Sequence, residues 1–376
     1  MATFTSILEA IGQAQSYSDK TQLLSVLLNA LQGKKGKPVG EDKTELSTFA
    51  FSEIEGLLRT LPTLSTYREK DQLFGFEDQL LGLVMLCYDS PALIAQDELA
   101  KIQLLQITVS KERFVENAID EIFGDGNMQK EAVERLLCML IPLKDEFQKG
   151  QLYQGLLHYQ QDIKRLSDDA KAPLTDYLVA EMTRYLEAPT GEDVLNNLEL
   201  ACDVCRYFLN GDLLALLQKA TKLPKASVRF YALSTLLEAG EQASPDVIEA
   251  LATDAEYAAL TYAVLKEHGL TTLFPAHLAT PEYLAKSDMI RWLLYPTELG
   301  QMPDEIEYLG KVKKKEVYHI FRFRSASNTL DDESKGKWLI GWSSDEGGTF
   351  SNFDLYEKFE QKTLEKTLKY IRKKLL

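Results

Sequence analysis

Apolar residues recur three and four positions apart over most of the chain, and that spacing sets them on one face of a helix. Phe4, Ile7, Leu8 and Ile11 form a first stripe, and Leu23, Leu24, Leu27, Leu28 and Leu31 a second. Leu73, Leu80, Leu81, Val84 and Cys87 mark a long helix that stops at Asp89-Ser90-Pro91. Further stripes run through 97–108, 111–123, 128–141, 147–165, 174–186, 192–208 and 212–220. FGDGN (123–127) and LNGD (209–212) carry the residues of turns. GKKGKPVGEDKT (33–44), rich in Gly and Lys, reads as a mobile loop. Helix after helix without strand alternation, up to about residue 307, predicts helices packed on helices.

The segment 224–310 adds a longer period. LPKASVRFYALSTLLEAG (223–240) and TDAEYAALTYAVLKEHG (253–269) align with Val228 over Tyr257, Ala232 over Thr261, Leu236 over Leu265 and Gly240 over Gly269. The glycines step by 29 residues, and Gly300 follows 31 later. Each can supply the left-handed residue that closes a helix. SPDVIEAL (244–251), TPEYLAKS (280–287) and MPDEIEYL (302–309) share a proline followed by an acid, a favourable helix start. Ser244 and Thr280 stand where caps are expected. Two helices per 30 residues or so, repeated, is the sequence signature of a solenoid.

On these residues the chain resembles the HEAT-like helical repeats, most clearly over 223–310. The Val228-Arg229 pair, Ala232, the leucines and Gly240 match the second helix of such a repeat. Asp254 stands where the family favours an acid before that helix, whereas Lys225 and Ala258 depart from the pattern. Pro296 would end or kink the helix of the third unit. The resemblance implies an irregular α-solenoid with a surface for other macromolecules, and no shared chemistry.

Near residue 311 the pattern changes to alternation. In KVKKKEVYHIFRFRS (311–325), Val317, His319, Phe321 and Phe323 alternate with Tyr318, Ile320, Arg322 and Arg324. The apolar VYHIF suits a strand covered on both faces. A polar turn, ASNTLDDESKGK, leads to a second strand, WLIGWSS (338–344), with Trp338, Ile340 and Trp342 on one face. DEGGTFSNF reads as a further turn. A terminal helix follows, striped by Leu364, Leu368, Ile371 and Leu375. The expected organisation is a mostly α chain: a helical-repeat domain over 1–310, subdivided near 33–44 or 187–191, and a small α+β domain over 311–376. That domain, a β-hairpin plus a helix, would be marginal alone and should pack on the last repeat.

Composition narrows the class further. With 45% hydrophobic and 26% charged residues over 376 positions, the chain can bury a sizeable core. From Tyr308 onward there are 15 Lys/Arg against 10 Asp/Glu, net +5, which leaves −20 on the rest of a chain whose total is −15. Such a body repels phosphate, which argues against nucleic acid as its partner. MATFTSILEAIGQAQSYSDK lacks the basic start and apolar run of a signal peptide. LLGLVMLC (80–87) is far short of the ~20 residues a membrane span needs. A cytoplasmic location and no membrane partner follow as expectations.

Candidate chemistry is sparse. Cys202-x-x-Cys205 offers half a zinc site, but no second pair exists, and three-residue spacing on an apolar helix suits buried packing. There is no P-loop, HExxH, GxSxG or GxGxxG following a strand, so no cofactor and no metal are expected. Gly347-Gly348 suits a turn, and Asp168-Asp169 and Asp331-Asp332 suit solvated loops. Lys313-Lys314-Lys315 suits a solvated strand edge. The cluster that stands out is His319, Arg322, Arg324, Trp338 and Trp342. Arginine forks fit carboxylate or phosphate, and Trp and Arg are the residues of interface hot spots. In a purely structural role the tryptophans fill the small core and the arginines pair acids of the helical body.

The expected function is therefore a non-enzymatic interaction protein whose acidic surface, with the C-terminal domain, binds a basic protein partner. An inhibitor or immunity-type protein that blocks a basic partner uses the same physics. A HEAT-like nucleic-acid repair enzyme, such as the alkylpurine glycosylases, needs a positive groove that this charge balance disfavours.

Overall fold

The computed structural model describes residues 9–11, 13–14, 16–32, 133, 137, 141, 146–313, 316–327, 335–344, 348–352 and 364–374. The loop expected at 33–44, the helix at 73–87 and the stripes of 97–123 lie outside them. The protein is mostly helical, with one antiparallel sheet near the C-terminus. Contacts divide it into two compact units, Met1–Ala180 with Glu192–Asn197, and Glu181–Gly191 with Leu198–Leu376.

The first unit contains α1 (Tyr17–Gln32), α2 (Glu146–His158), α3 (Gln160–Arg165), most of α4 (Asp168–Glu187) and the start of α5 (Glu192–Val204). The single stripe read over 147–165 is two helices, because α2 ends at His158 and α3 starts after Tyr159. Leu152, Tyr153, Leu156, Leu174 and Leu178 are fully buried. Asn197, also buried, donates from Nδ2 to the Glu146 carbonyl at 2.7 Å and to its carboxylate at 2.9 Å. That pair satisfies a buried amide that would otherwise be costly.

In the second unit α5 runs into a 3-10 turn at Cys205–Tyr207. There follow α6 (Gly211–Ala220), α7 (Ala226–Glu238), α8 (Pro245–Ala252), α9 (Ala258–Glu267) and α10 (Pro281–Leu293), each from α6 to α10 packed on its neighbour in the chain. Asn210 opens α6 by accepting from Leu213 N–H at 2.8 Å. Of the three spaced glycines, Gly240 and Gly269 close helices as expected, whereas Gly300, also at positive φ, lies in a turn seven residues past the end of α10. Gly240 and Gly269 have φ of 77° and 71°, and after each the next N–H reaches back five residues, Glu241 to Leu236 and Leu270 to Leu265. This doubled closure satisfies carbonyls a helix end leaves bare. Asp254 accepts from Glu256 and Tyr257 N–H, so it caps the turn into α9. Thr280 caps α10 through Tyr283 N–H at 3.3 Å, whereas Ser244 makes no such bond although Pro245 opens α8. α10 ends at Leu293, three residues before Pro296. Phe230, Leu233, Leu237, Val247, Ile248, Leu251 and Leu265 form the core of α7–α9.

The third helix start does not form. MPDEIEYL leads into β1 (Glu305–Lys313), which crosses the boundary expected at 310. The sheet continues with β2 (Val317–Arg324), β3 (Leu339–Ser344) and β4 (Thr349–Asn352), in the order β1-β2-β3-β4, all antiparallel. The expected hairpin is thus a four-stranded meander. Its extra strands come from the segments read as a helix start and as a turn. A bulge between Tyr308 and Gly310 resets the alternation of β1. Both faces of β2 are covered, as its apolar run requires. Phe321, Phe323 and Leu339 pack on Ala285, Met289 and Leu293 of α10. Val312, Ile320, Ile340 and Trp342 pack under Ile371 and Leu368 of the terminal helix α11 (Leu364–Lys374). Gly341 permits the first contact: a Cβ there would lie 2.5 Å from Met289 Cε and 2.8 Å from the Phe350 carbonyl oxygen.

Candidate functional site

Strand alternation sorts the five residues singled out on the sheet. His319 lies on the α10 side with Phe321 and Phe323 and is 1% exposed. Its Nδ1 stands 3.3 Å from Tyr308 Oη, and the two rings lie 5.9 Å apart. Trp342 faces the other way and is buried in the α11 core. Both side chains are thus buried, one on each face of the sheet. Arg322, Arg324 and Trp338 come together on the α11 face, beyond the apolar part that α11 covers. Arg322 pairs across the sheet with Ile340, which puts Trp338, two residues earlier, beside Arg324.

The arginines are spoken for on two sides. Arg322 Nε donates to Glu307 at 2.7 Å and Arg324 Nε to Glu305 at 2.9 Å, acids that stand opposite them on β1. Their guanidinium carbons lie 4.4 and 4.8 Å from the centre of the Trp338 ring. An arginine stacked on an indole face is held by the ring's quadrupole, worth about 0.5–1 kcal/mol at an exposed site. The pairing differs from both expectations: the acids belong to the adjacent strand, not to the helical body, and the arginines are not an open anion patch. The Pro-acid start of their segment gives Glu305 and Glu307 a helical signal, although Glu-Ile-Glu-Tyr does alternate.

A second surface lies across the helices. Glu199 and Asp203 on α5, Tyr231 on α7, Glu256 and Tyr257 before α9, and Asp288 on α10 form an acidic strip with tyrosines among the acids. Burial pushes the carboxyls of Asp203, Glu256 and Asp288 above the usual range. The charge of Glu199 adds to the rise at Asp203 and Glu256. Burial likewise raises the phenols of Tyr231 and Tyr257, with Glu199 again contributing. Cations thread the strip: Arg206 bridges Asp203 and Glu238, Lys225 lies 3.4 Å from Glu199, and Arg291 lies 3.6 Å from Asp288. Ser287 Oγ donates to the Glu256 carbonyl and accepts from Ala259 N–H, which fixes the α9 start against α10. The net acidity of the body was legible in the sequence, but which acids lie near one another was not.

Cys202 and Cys205 are both fully buried free thiols. Cys205 lies 3.1 Å from Met182 Sδ, and burial raises both thiols well above their ordinary range, so neither is a nucleophile at neutral pH. Among the described residues no three His, Cys, Asp or Glu side chains are grouped to hold a metal ion. No described helix is long and apolar enough to cross a membrane. Compared with protein-family models, with curated proteins and with solved structures, the chain matches none.

Proposed function

We propose that the protein is a non-catalytic interaction protein, an irregular HEAT-like α-solenoid whose acidic, tyrosine-bearing strip receives a basic segment of a protein partner. The observation that carries the reading is the set of part-buried carboxylates at Asp203, Glu256 and Asp288, each raised by burial. Burial disfavours the ionised form even where Arg206 and Arg291 offset part of that cost at Asp203 and Asp288, so a further Lys or Arg from a partner stabilises it. Complementary fields also speed encounter and penalise acidic competitors. The tyrosines add rigid contact area at small entropic cost.

A Lys/Arg-rich peptide titrated into the full chain tests this. Binding should weaken as salt rises. It should also weaken as pH falls through the raised carboxyl values, because protonation removes the attracting charge. Replacing Glu199 and Glu256 together by Lys should abolish it. Equal affinity in the wild type and that variant would overturn the reading.

A further inference from the structure

We infer that the cleft between α7 and the start of α8 binds a small phosphate ester whose body carries hydroxyl groups. It has a volume of about 390 Å3 and is lined by Lys222, Arg229, Ser244, Asp246, Val247 and Ala250, together with Thr221. That volume falls at the small end of ligand pockets. Two cations face it inside a strongly acidic body, and among the described residues neither makes an ion pair. Lys225, one turn before Arg229, gives its charge to Glu199 instead. Arg229 Nε is fully buried and has no hydrogen-bond partner. A buried donor left in that state is costly, and an acceptor in the cleft that draws the guanidinium outward would relieve it.

The rest of the lining divides the work. Ser244 leaves its hydroxyl uncommitted to the helix start, so the N–H groups of Asp246 and Val247 stay open to an anion. Thr221 is committed, its hydroxyl donating to the Gln218 carbonyl at 2.8 Å. A dianionic phosphate suits two cations and a helix start better than a single carboxylate does. Asp246 would repel a bare anion, but it can accept from a hydroxyl on the ligand's body. Val247 and Ala250 supply an apolar wall for that body. This site is independent of the acidic strip.

Calorimetric titration of the full chain with glycerol phosphate, inorganic phosphate and acetate, at matched ionic strength, tests the inference. Glycerol phosphate should bind saturably, inorganic phosphate several-fold more weakly, and acetate not at all. Lys222→Gln and Arg229→Gln should each weaken glycerol phosphate by about tenfold or more. Lys222 is exposed, so its variant remains informative even where Arg229→Gln unfolds. Asp246→Asn should cut the preference for the ester while leaving inorganic phosphate bound as well or better. No saturable binding of either phosphate, or unchanged binding in the Lys222 variant, overturns the site. Equal binding of ester and inorganic phosphate overturns the choice of ligand.

Discussion

Two arginines on the sheet and two cations on the helical stack meet opposite fates. On β2, Arg322 and Arg324 are paired to Glu307 and Glu305 and laid over Trp338. Beside α8, Lys222 and Arg229 line a cleft and make no ion pair among the described residues. The first pair has the residue types of a hot spot and spends them on its own fold. The second has an unremarkable sequence setting and leaves its charge open. What a charged side chain does is decided by what stands across from it, and that is a matter of register and packing.

If the sheet's cations are architecture and the cleft's are not, stability and binding should separate. The largest effect belongs to Gly341→Ala, whose Cβ meets the Phe350 carbonyl as well as Met289. Met289 can swing aside, but the backbone oxygen cannot. Urea denaturation should show a loss of about 1–3 kcal/mol. A neutral result would mean that α10 does not press on the sheet. A smaller loss, about 1–2 kcal/mol in all, is expected for Arg322→Ala with Arg324→Ala, because half-exposed pairs are worth little each. Glycerol phosphate and peptide binding should be unchanged in that variant. Weakened binding with full stability would make the sheet row a recognition site after all.

The smallest effect concerns Glu256. Its folded carboxyl is raised above its unfolded value, so the folded state takes up a proton first as pH falls. The stability it subtracts when ionised is therefore greatest at high pH, and it disappears as pH falls through the raised value toward the unfolded carboxyl near ~4.3. Glu256→Gln should melt slightly above the wild type at pH 8, with the difference closing as pH falls toward the unfolded carboxyl value. A difference that grows on acidification would contradict the burial of that carboxyl.

The features legible in the sequence were those fixed within a few residues. Gly240 and Gly269 close their helices because positive φ is a local demand, and Asp254 caps because its acceptors' partners are two and three residues on. The alternation of β2 likewise announced its two buried faces. What escaped depended on distant partners. Glu305 and Glu307 meet arginines 19 and 15 positions away, through a register that a bulge at Tyr308–Gly310 helps to set. The Pro-acid start of their segment imitates a helix, but its continuation alternates, and pairing with β2 prevails over the local signal. The cleft was equally hidden, because Lys222, Arg229 and Ser244 arrive from a loop, a helix and a cap.

The first strand's position bears on how this part of the chain could be inherited or transplanted. A cut at residue 310 would strip Glu305 and Glu307 from the sheet and bare Phe321, Phe323 and Leu339 by removing α10. The fragment left behind would carry two unneutralised arginines and an apolar face open to any passing chain. The smallest heritable block that keeps its own surfaces covered therefore begins no later than Thr280, the cap of α10. Recombination or splicing inside 281–313 would yield two sticky halves rather than two modules.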